Sequence, residues 1–400
     1  MPIFDFAVGQ TNPETFPTAA LQQAAVAAIA GEAEALNRYP GGKGHAGLRR
    51  LMAERESERE GVDVNPENIA LMNGSMQAVT LAGQALTNGP GDIVITEKYT
   101  YSGTIAAYRS LGLAMHGMPV DEEGMKVDFL ATHLAALPQK PKFIYTLTSY
   151  QNPTGVTMSR ARRLALIEVA REYDLPVVED NCYGDVHFEG EVEPALYALD
   201  PDPRHIYIGS LSKIFAPGMR LGYLLAESPF FEQIVSRRHD AGSNYFAAAV
   251  LAEFYKNDLW GHCVAANQVL KQKRDRLLTA LEQSLKDVCV WSEPTGGLFL
   301  WLRLPPDIDL VTLKATAAER GFYYADGQDF NVEDYPFIIC VLLLVTCPMS
   351  KLILEFPFWL SVLPSVGGAM LSLSMPLCLM ILGCEGASLG PVGLDAQRLD

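Results

Sequence analysis

The sequence alternates between short apolar segments and longer segments in which apolar residues recur at helical spacing. The apolar segments have the length of buried strands and lie at 69–72, 92–96, 143–148, 176–179, 205–209 and 222–226. Helical spacing is clearest at 74–86, 102–111 and 159–173. Strands that alternate with helices predict an α/β domain with a mostly parallel sheet, and such sheets bind ligands at the carboxyl ends of their strands.

The regions on either side of this alternation predict further elements. An extended arm at 4–17, interrupted by two X-Pro pairs, leads into an alanine-rich helix at 18–37 with Thr18 as its N-cap. A long helix is predicted at 259–285, with lysine and arginine on its outer face. The segment 294–304 contains a Pro-Thr-Gly-Gly turn and a strand, which indicate a second, smaller domain.

The composition disfavours some classes of function. Of the 400 residues, 49% are hydrophobic and 20% are charged, as in a soluble globular enzyme of one large or two smaller domains. A formal net charge of −16 disfavours binding to nucleic acid, because a polyanion would be repelled. Five arginines stand among acidic residues and are predicted to lie on solvated helix faces: Arg49, Arg50, Arg160, Arg162 and Arg163.

Cysteine and histidine spacing gives no sign of a disulfide framework or a metal site. The seven cysteines are an odd number without a Cys-x-x-Cys pair, and the seven histidines show no ligand spacing. Residues 1–16 lack a basic stretch followed by an apolar run, so no secretory signal is predicted. We therefore expect a protein of the reducing cytoplasm that has no bound metal.

The segment 210–222, with the sequence SLSKIFAPGMRLG, contains the clearest candidate chemistry. The Lys213 amine could condense with an aldehyde, and Ser210, Ser212 and Arg220 could hold a phosphate on the same molecule. A strand end followed by a basic turn would also explain the segment if it stood alone. The prediction therefore depends on residues upstream.

Three upstream segments follow predicted strands, and each could supply one further group. The first opens a helix at Ser75, Met76 and Gln77. Backbone N–H groups at a helix start can bind a phosphate. Tyr101, with Tyr99 as its rival, could stack on an aromatic ring, and Asn152 in an Asn-Pro-Thr-Gly turn could donate to a ring oxygen. Taken singly, a helix cap, a packing tyrosine and a common turn would explain these residues.

Asp180 and Tyr183 follow the predicted strand at 176–179. An ionised carboxylate at this place could stabilise a protonated nitrogen in an aromatic ring, which would then accept electrons from a bound substrate. Tyr183 could donate to the same ring oxygen as Asn152. Glu179 is predicted to point to the opposite face of the sheet, because side chains alternate along a strand. A strand-end aspartate that caps a loop is the alternative.

A glycine-rich segment at 38–49 contains Tyr39 in the run Tyr-Pro-Gly-Gly. It lacks the Gly-Lys-Ser/Thr of a nucleotide-binding loop, so a site of that class is excluded. A glycine turn that opens a helix would explain the residues equally well.

Together these segments resemble the class I/II pyridoxal-phosphate (PLP) aminotransferases of fold type I. The resemblance covers about residues 4–330 and rests on an ordered series of motifs: a Gly-Ser helix start, a tyrosine, Asn-Pro-Thr-Gly, Asp-x-x-Tyr, Ser-x-Ser-Lys and an arginine. The arm, the Tyr-Pro-Gly-Gly run and a Tyr-Ser-Gly-Thr segment are most similar to the branch of 2-aminoadipate and kynurenine aminotransferases and MocR-type effector domains. The family fold implies a large domain, with a mostly parallel seven-stranded sheet between helices, and a smaller α+β domain.

The resemblance implies a role for each candidate residue. PLP would be bound to Lys213 as a Schiff base, and an amino group would move from an amino acid to a 2-oxo acid. Asp180 would lie beside the pyridine nitrogen, and the freed Lys213 amine would move the substrate α-proton, which requires a lowered pKa. A homodimer is implied, in which Tyr39 reaches the cofactor phosphate of the neighbouring subunit. A PLP-dependent C–S lyase with the same cofactor residues and a ligand-sensing module are the alternatives.

Beyond residue 331 the sequence departs from the family. The expected domains are an arm and helix belonging to the small domain at 1–45, a large PLP-binding domain at 46–285, a small domain at 286–331 and a hydrophobic tail at 332–400. After the turn at 321–330 the family has a strand with an arginine that grips the substrate carboxylate. No arginine occurs here between Arg320 and Arg398.

Three explanations of the tail remain open. It could be foreign to the family, through a shifted reading frame or an alternative exon, which the abrupt change in composition favours. It could be a membrane anchor, since 356–384 is long enough to span a bilayer, although Pro357, Pro364 and Pro376 interrupt it. It could be a buried extension of the small domain, which would leave the substrate carboxylate without its usual partner. The missing arginine also leaves open a protein that binds the cofactor without activity.

Overall fold

The computed structural model describes residues 4–7, 9, 11–306, 308–333 and 339–343. The helices are α1 (Thr18–Glu32), α2 (Ala46–Glu60), α3 (Ser75–Leu86), α4 (Ser102–Ser110), α5 (Val127–Ala136), α6 (Arg160–Glu172), α7 (Leu196–Leu199), α8 (Phe230–Val235), α9 (Tyr245–Leu285) and α10 (Leu310–Glu319). The strands are β1 (Phe4–Phe6), β2 (Ile69–Met72), β3 (Ile93–Glu97), β4 (Ala114–Met118), β5 (Val120–Asp121), β6 (Gly124–Met125), β7 (Phe143–Thr146), β8 (Val177–Asn181), β9 (His205–Ser210), β10 (Gly222–Leu225), β11 (Val290–Trp291), β12 (Phe299–Arg303), β13 (Phe322–Asp326) and β14 (Ile339–Leu343).

Seven strands form the central sheet, in the order β2, β10, β9, β8, β7, β3, β4. The strands from β9 to β4 in this order pair in parallel, and β10 runs antiparallel to both of its neighbours. All residues of β3, β7, β8 and β9 are buried, as expected for a sheet covered by helices on both faces. The predicted α/β fold with a mostly parallel sheet is confirmed.

A second sheet has the strand order β1, β13, β14, β12, β11. Its first strand comes from the N-terminal arm and pairs in parallel with β13, so that Phe4 lies opposite Phe322. Apolar side chains from the end of α9, including Leu281 and Leu285, pack with Leu300 and Leu302 of β12 in a separate core. The sheet thus combines strands from distant parts of the chain, and the exact domain limits stay a prediction.

Two helix starts differ from the prediction. Thr18 is the first residue of α1 and not its N-cap, because Pro17 occupies the cap position, where no side chain caps the helix. α9 begins at Tyr245 and not at residue 259. Its N-cap is Asn244, whose side chain accepts a hydrogen bond from Ala247 N. The first turns of α9 are buried on nearly all sides. The sequence there has no polar face that would reveal a helix.

Arg49 and Arg163 are buried, so their predicted place on solvated helix faces is wrong, and Arg163 is fully buried. The Arg163 guanidinium lies 3.5 Å from Glu179 Oε1 and donates to the carbonyl groups of Thr148 and Pro194 at 2.8 and 3.0 Å. Glu179 therefore contacts Arg163 on one face of the sheet, whereas its neighbour Asp180 contacts Tyr145. The alternation predicted along β8 is therefore confirmed.

Most of the tail falls outside the described residues. Its described strand, β14, is hydrogen-bonded to both β12 and β13 and contains no arginine. The candidate membrane anchor at 356–384 lies outside the described residues. Within the described part of the chain, no helix combines the length and the apolar character needed to cross a membrane.

Glu97, at the end of β3, is a buried carboxyl group that forms no ion pair within the described residues. It accepts hydrogen bonds from Thr146 Oγ1 at 2.5 Å and from Leu147 N at 2.9 Å. Burial nevertheless raises the pKa of Glu97 to about 7. The folded protein therefore binds a proton more tightly than the unfolded chain, and the stability gained at low pH is lost as the pH rises towards 7.

We expect this carboxyl group to make the free energy of unfolding pH-dependent. Between pH 5 and pH 8 the parent should lose about 2–3 kcal/mol relative to the Glu97→Gln variant, whose amide does not titrate. Urea unfolding of both proteins at the two pH values measures the difference. An identical pH dependence in parent and variant would contradict the prediction.

Candidate active site

A cavity of about 340 Å³ opens at the carboxyl ends of β8 and β9. Most of the residues proposed from the sequence line it, namely Ser75, Met76, Tyr101, Asn152, Asp180, Tyr183, Ser210, Ser212, Lys213 and Arg220. The arm contributes Ala7 and Gly9 to the lining, and the second sheet contributes Phe299. The fold therefore gathers residues as far apart in the sequence as Ala7 and Phe299 at the edge where a parallel sheet binds its ligands.

Asp180 is buried at the floor of this cavity and accepts a hydrogen bond at each carboxylate oxygen. The Tyr145 hydroxyl donates to Oδ2 at 2.6 Å, and the Cys182 thiol donates to Oδ1 at 2.8 Å. Burial raises the pKa of Asp180, and the two donors act against this rise. The carboxylate is fixed in direction, and each oxygen keeps a lone pair for a further donor.

Lys213 follows β9 and points its amine into the cavity. The amine donates a hydrogen bond to the Gly9 carbonyl at 2.8 Å. Burial, assisted by the positive charge of Arg220, lowers the pKa of Lys213. A lowered pKa increases the share of neutral amine, which is the form that attacks a carbonyl group or removes a proton.

The other end of the cavity is rich in hydrogen-bond donors and positive charge. Gly74, at φ +80°, precedes α3, and a Cβ there would lie 2.5 Å from Arg220 Nη2. A Cβ on Gly222 would likewise lie 2.7 Å from the backbone nitrogen of Ser75. The two glycines therefore let the guanidinium and β10 approach the start of α3. Arg220 forms no ion pair within the described residues, so this end suits an anion such as phosphate.

Asn152 and Tyr183 form a polar pair on the cavity wall. Asn152 Nδ2 donates to the Tyr183 hydroxyl at 3.4 Å, and the Tyr183 ring packs edge-on against Phe299. Asn152 Oδ1 is buried and has no hydrogen-bond partner among the described residues. Because buried polar atoms in proteins are nearly always hydrogen-bonded, this amide is a group that a bound molecule or a water would satisfy.

Three candidates lie outside the cavity lining. The Gln77 side chain accepts from Asn73 N and donates to Asp240 Oδ2, which holds it at the start of α3. Tyr99 packs against Trp301 with ring centroids 5.0 Å apart, so Tyr101 is the tyrosine that faces the cavity. Tyr39 is 88% exposed. Contact of Gln77 and Tyr39 with a cofactor stays a prediction.

The sequence analysis missed Tyr145, Cys182 and Gly9. Tyr145 pairs with Val178, two residues before Asp180, so both side chains point to the same face of the sheet. Strand alternation would have found Tyr145 if the register of β7 and β8 had been known. No sequence signal places the arm carbonyl of Gly9 against Lys213, because this contact joins distant parts of the chain.

Comparison with known proteins decides the family. Residues 2–340 match the family model described as aminotransferase class I and II. The chain belongs to this family. The match ends close to the point where the sequence departs from the expected pattern, near residue 331. The family match therefore covers nearly all of the described residues of this aminotransferase.

Individual relatives agree with this assignment. The aromatic-amino-acid aminotransferase 1 of Thermococcus litoralis is 34% identical over 334 residues, which cover 82% of this chain and 80% of the relative. A kynurenine aminotransferase structure from Pyrococcus horikoshii, in complex with PMP, superposes with a TM-score of 0.86 at 30% identity over 91% of each chain. An α-aminoadipate aminotransferase from Thermus thermophilus, complexed with N-(5'-phosphopyridoxyl)-L-leucine, gives 0.85 at 27% identity over 91% of this chain and 92% of its own.

These relatives confirm the predicted fold type I, the enzyme class and the cofactor. The chain is a PLP-dependent aminotransferase, whose substrates are amino acids and 2-oxo acids. A C–S lyase and a ligand-sensing or inactive protein are not favoured.

Proposed function

We propose that the aminotransferase moves amino groups in this cavity and that Lys213 is the residue to which the cofactor aldehyde is attached. The proposal is carried by one observation: Lys213, with its lowered pKa, lines the same cavity as the Asp180 carboxylate at the ends of two adjacent parallel strands. When bound, PLP supplies a carbonyl carbon that links to the amino group and a ring that accepts electrons from the substrate.

The residues of the cavity fit PLP at both of its ends. The phosphate would be held by Ser210, Ser212, Arg220 and the backbone N–H groups of Ser75 and Met76. At the other end Asp180 would accept from the ring nitrogen. The Asn152 amide nitrogen, which lies beside the Tyr183 hydroxyl, and that hydroxyl would donate to the ring oxygen, and Tyr101 would lie beside the ring.

The side chains divide the chemical work between them. The ionised Asp180 carboxylate favours a proton on the ring nitrogen, because opposite charges stabilise each other strongly in a buried place. The Lys213 amine, when free, would take up and hand on the α-proton of the bound amino acid, for which its lowered pKa suits it. Phe299 and Phe330 line the cavity and exclude water from that proton transfer.

The proposal includes a homodimer in the cytoplasm. Large apolar side chains are exposed in and around α1, namely Phe16, Val26, Ile29, Leu36 and Tyr39. A concentration of exposed apolar groups favours association, and a second copy of the chain would cover it. Sedimentation equilibrium should give twice the chain mass of 43.7 kDa, and a single chain mass at all concentrations would contradict the dimer.

Chemical trapping tests the proposed function directly. The purified, PLP-loaded protein is reduced with borohydride and digested, and the masses of its peptides are measured. We expect a phosphopyridoxyl group on Lys213 and, before reduction, a change in visible absorbance when a panel of amino acids is added. Labelling at another lysine, or a spectrum that no amino acid alters, would overturn the assignment.

Arg220→Gln should weaken PLP binding by roughly 10- to 100-fold, because hydrogen bonds from a charged donor to phosphate are among the strongest in proteins. Turnover at saturating PLP should change much less, since the guanidinium lies at the phosphate end. An absorbance titration measures the affinity. Arg171→Gln, which removes an exposed arginine paired with Asp200, is the matched control. Equal affinities in the two variants would remove Arg220 from the phosphate site.

A further inference from the structure

The Cys182 thiol lines the active-site cavity next to Asp180. It donates to Asp180 Oδ1 at 2.8 Å, and the nearby Ser75 side chain opposes the rise in the pKa of the thiol. Ser75 begins α3 at the proposed phosphate end, whereas Asp180 lies at the end proposed for the ring nitrogen. Cys182 therefore lies near groups that would hold opposite ends of PLP.

The protonation state of Cys182 fits the role of a donor. Burial, together with the adjacent Asp180 charge, raises the pKa of the Cys182 thiol well above its ordinary value. The sulfur therefore keeps its proton at neutral pH, and an S–H group can donate to a carboxylate where a thiolate would repel it.

Hydrogen bonds converge on Asp180 from both sides. On one side Thr104 Oγ1 donates to the Tyr145 hydroxyl at 2.9 Å, and Tyr145 donates to Asp180. On the other side the Cys182 thiol donates to Asp180. Burial and the negative charge of Asp180 also raise the pKa of three nearby tyrosine hydroxyls, those of Tyr101, Tyr108 and Tyr183. The positive charge of Lys213 acts in the other direction and opposes the rise that burial causes in the pKa of the Cys182 thiol.

Two donors on different oxygens fix the orientation of the Asp180 carboxylate more completely than one donor can. A carboxylate held at Oδ2 alone can still turn about its terminal bond, because that torsion has broad energy wells. A second hydrogen bond at Oδ1 fixes the plane of the group and favours its ionised form. The direction of the lone pairs available to a ring nitrogen then depends on Cys182.

We propose that Cys182 is a positioning residue, which orients the Asp180 carboxylate towards the cofactor ring and keeps it ionised. The inference rests on the proposed role of Asp180 and adds a second, sulfur-based support to it. Cys182 acts through Asp180, and so its removal should alter how the ring is held and protonated.

Two variants at this position separate hydrogen bonding from packing. Cys182→Ala removes the donor, and we expect PLP to bind about three- to tenfold more weakly, as for the loss of one hydrogen bond. The pH midpoint of the visible cofactor band should move, and kcat should fall with little change in KM for the amino acid. Cys182→Ser keeps a donor and should restore the midpoint and the affinity to near the parent values. Cys289→Ala, in the core of the second sheet, controls for the loss of a buried thiol.

The outcomes distinguish this inference from the proposed function. If the alanine and serine variants shift the midpoint and affinity equally, Cys182 acts through its packing and not as a donor. If neither variant shifts them, Cys182 does not position the ring. Either result overturns the inference. If Cys182→Ala does not fold, the serine variant decides, because a shifted midpoint in that variant contradicts a donor role. If trapping fails to label Lys213 in the parent, the proposed function fails whatever the Cys182 variants show.

Discussion

Replacement of Lys213 by alanine should abolish the visible absorbance of attached PLP and reduce amino transfer by about 10⁴-fold. The variant loses the amine to which the aldehyde attaches and the base that moves the α-proton. Loss of a positioned general base alone accounts for about 10² to 10⁴-fold. The fold should survive, because alanine removes a buried amine whose desolvation already lowers its pKa.

The measurement compares single-turnover rates and absorbance spectra of the parent and the Lys213→Ala protein. Lys140→Ala is the matched control, since Lys140 is an exposed residue paired with Asp174 far from the described cavity lining. It should keep both the spectrum and the rate. A Lys213→Ala protein that keeps a borohydride-reducible band would show that another amine holds the cofactor.

Asp180→Asn and Glu179→Gln should have opposite effects, although the two residues are neighbours on β8. A neutral amide at position 180 cannot compensate a protonated ring nitrogen, and we expect kcat/KM to fall by roughly 10² to 10³-fold, comparable to breaking a buried charge pair. The free energy of unfolding should stay the same or increase, because burial raises the pKa of Asp180 and the amide carries no charge to bury.

Glu179→Gln should leave the active site intact and destabilise the fold. Arg163 is fully buried and would lose the carboxylate 3.5 Å away, at a cost of about 3 kcal/mol. Chemical unfolding and steady-state kinetics on both variants measure the contrast. The assignment would be wrong if Asp180→Asn kept full activity, or if Glu179→Gln lost activity without losing stability.

The elements of the central sheet could be predicted because each leaves a local signal. Buried strands appear as short apolar runs, and the motif residues come directly after them, where a parallel sheet places its ligands. Asp180 and Lys213 are far apart in sequence, yet their positions after adjacent strands were enough to bring them together. The prediction that Glu179 and Asp180 point to opposite faces of the sheet required only that side chains alternate along a strand.

The contacts that were missed depend on register and on long-range packing. Tyr145 reaches Asp180 across two strands, and no local pattern fixes how those strands are aligned. Arg163 stands in a charged stretch that resembles a solvated face, but its partner Glu179 lies on a different element. The start of α9 was missed because a helix buried on all sides has no amphipathic pattern.

The N-terminal arm joins Lys213 to a strand of the second sheet. Phe6 ends β1, and only three residues further on the Gly9 carbonyl accepts from the Lys213 amine. Three residues can extend by no more than about 10 Å, so the segment between Phe6 and Gly9 has little slack. If the second sheet rotated against the central sheet, the arm would have to displace the Lys213 amine or break its hydrogen bond to Gly9. The N-terminal arm thus takes part in the candidate site, and its removal would leave the Lys213 amine without its hydrogen-bond acceptor.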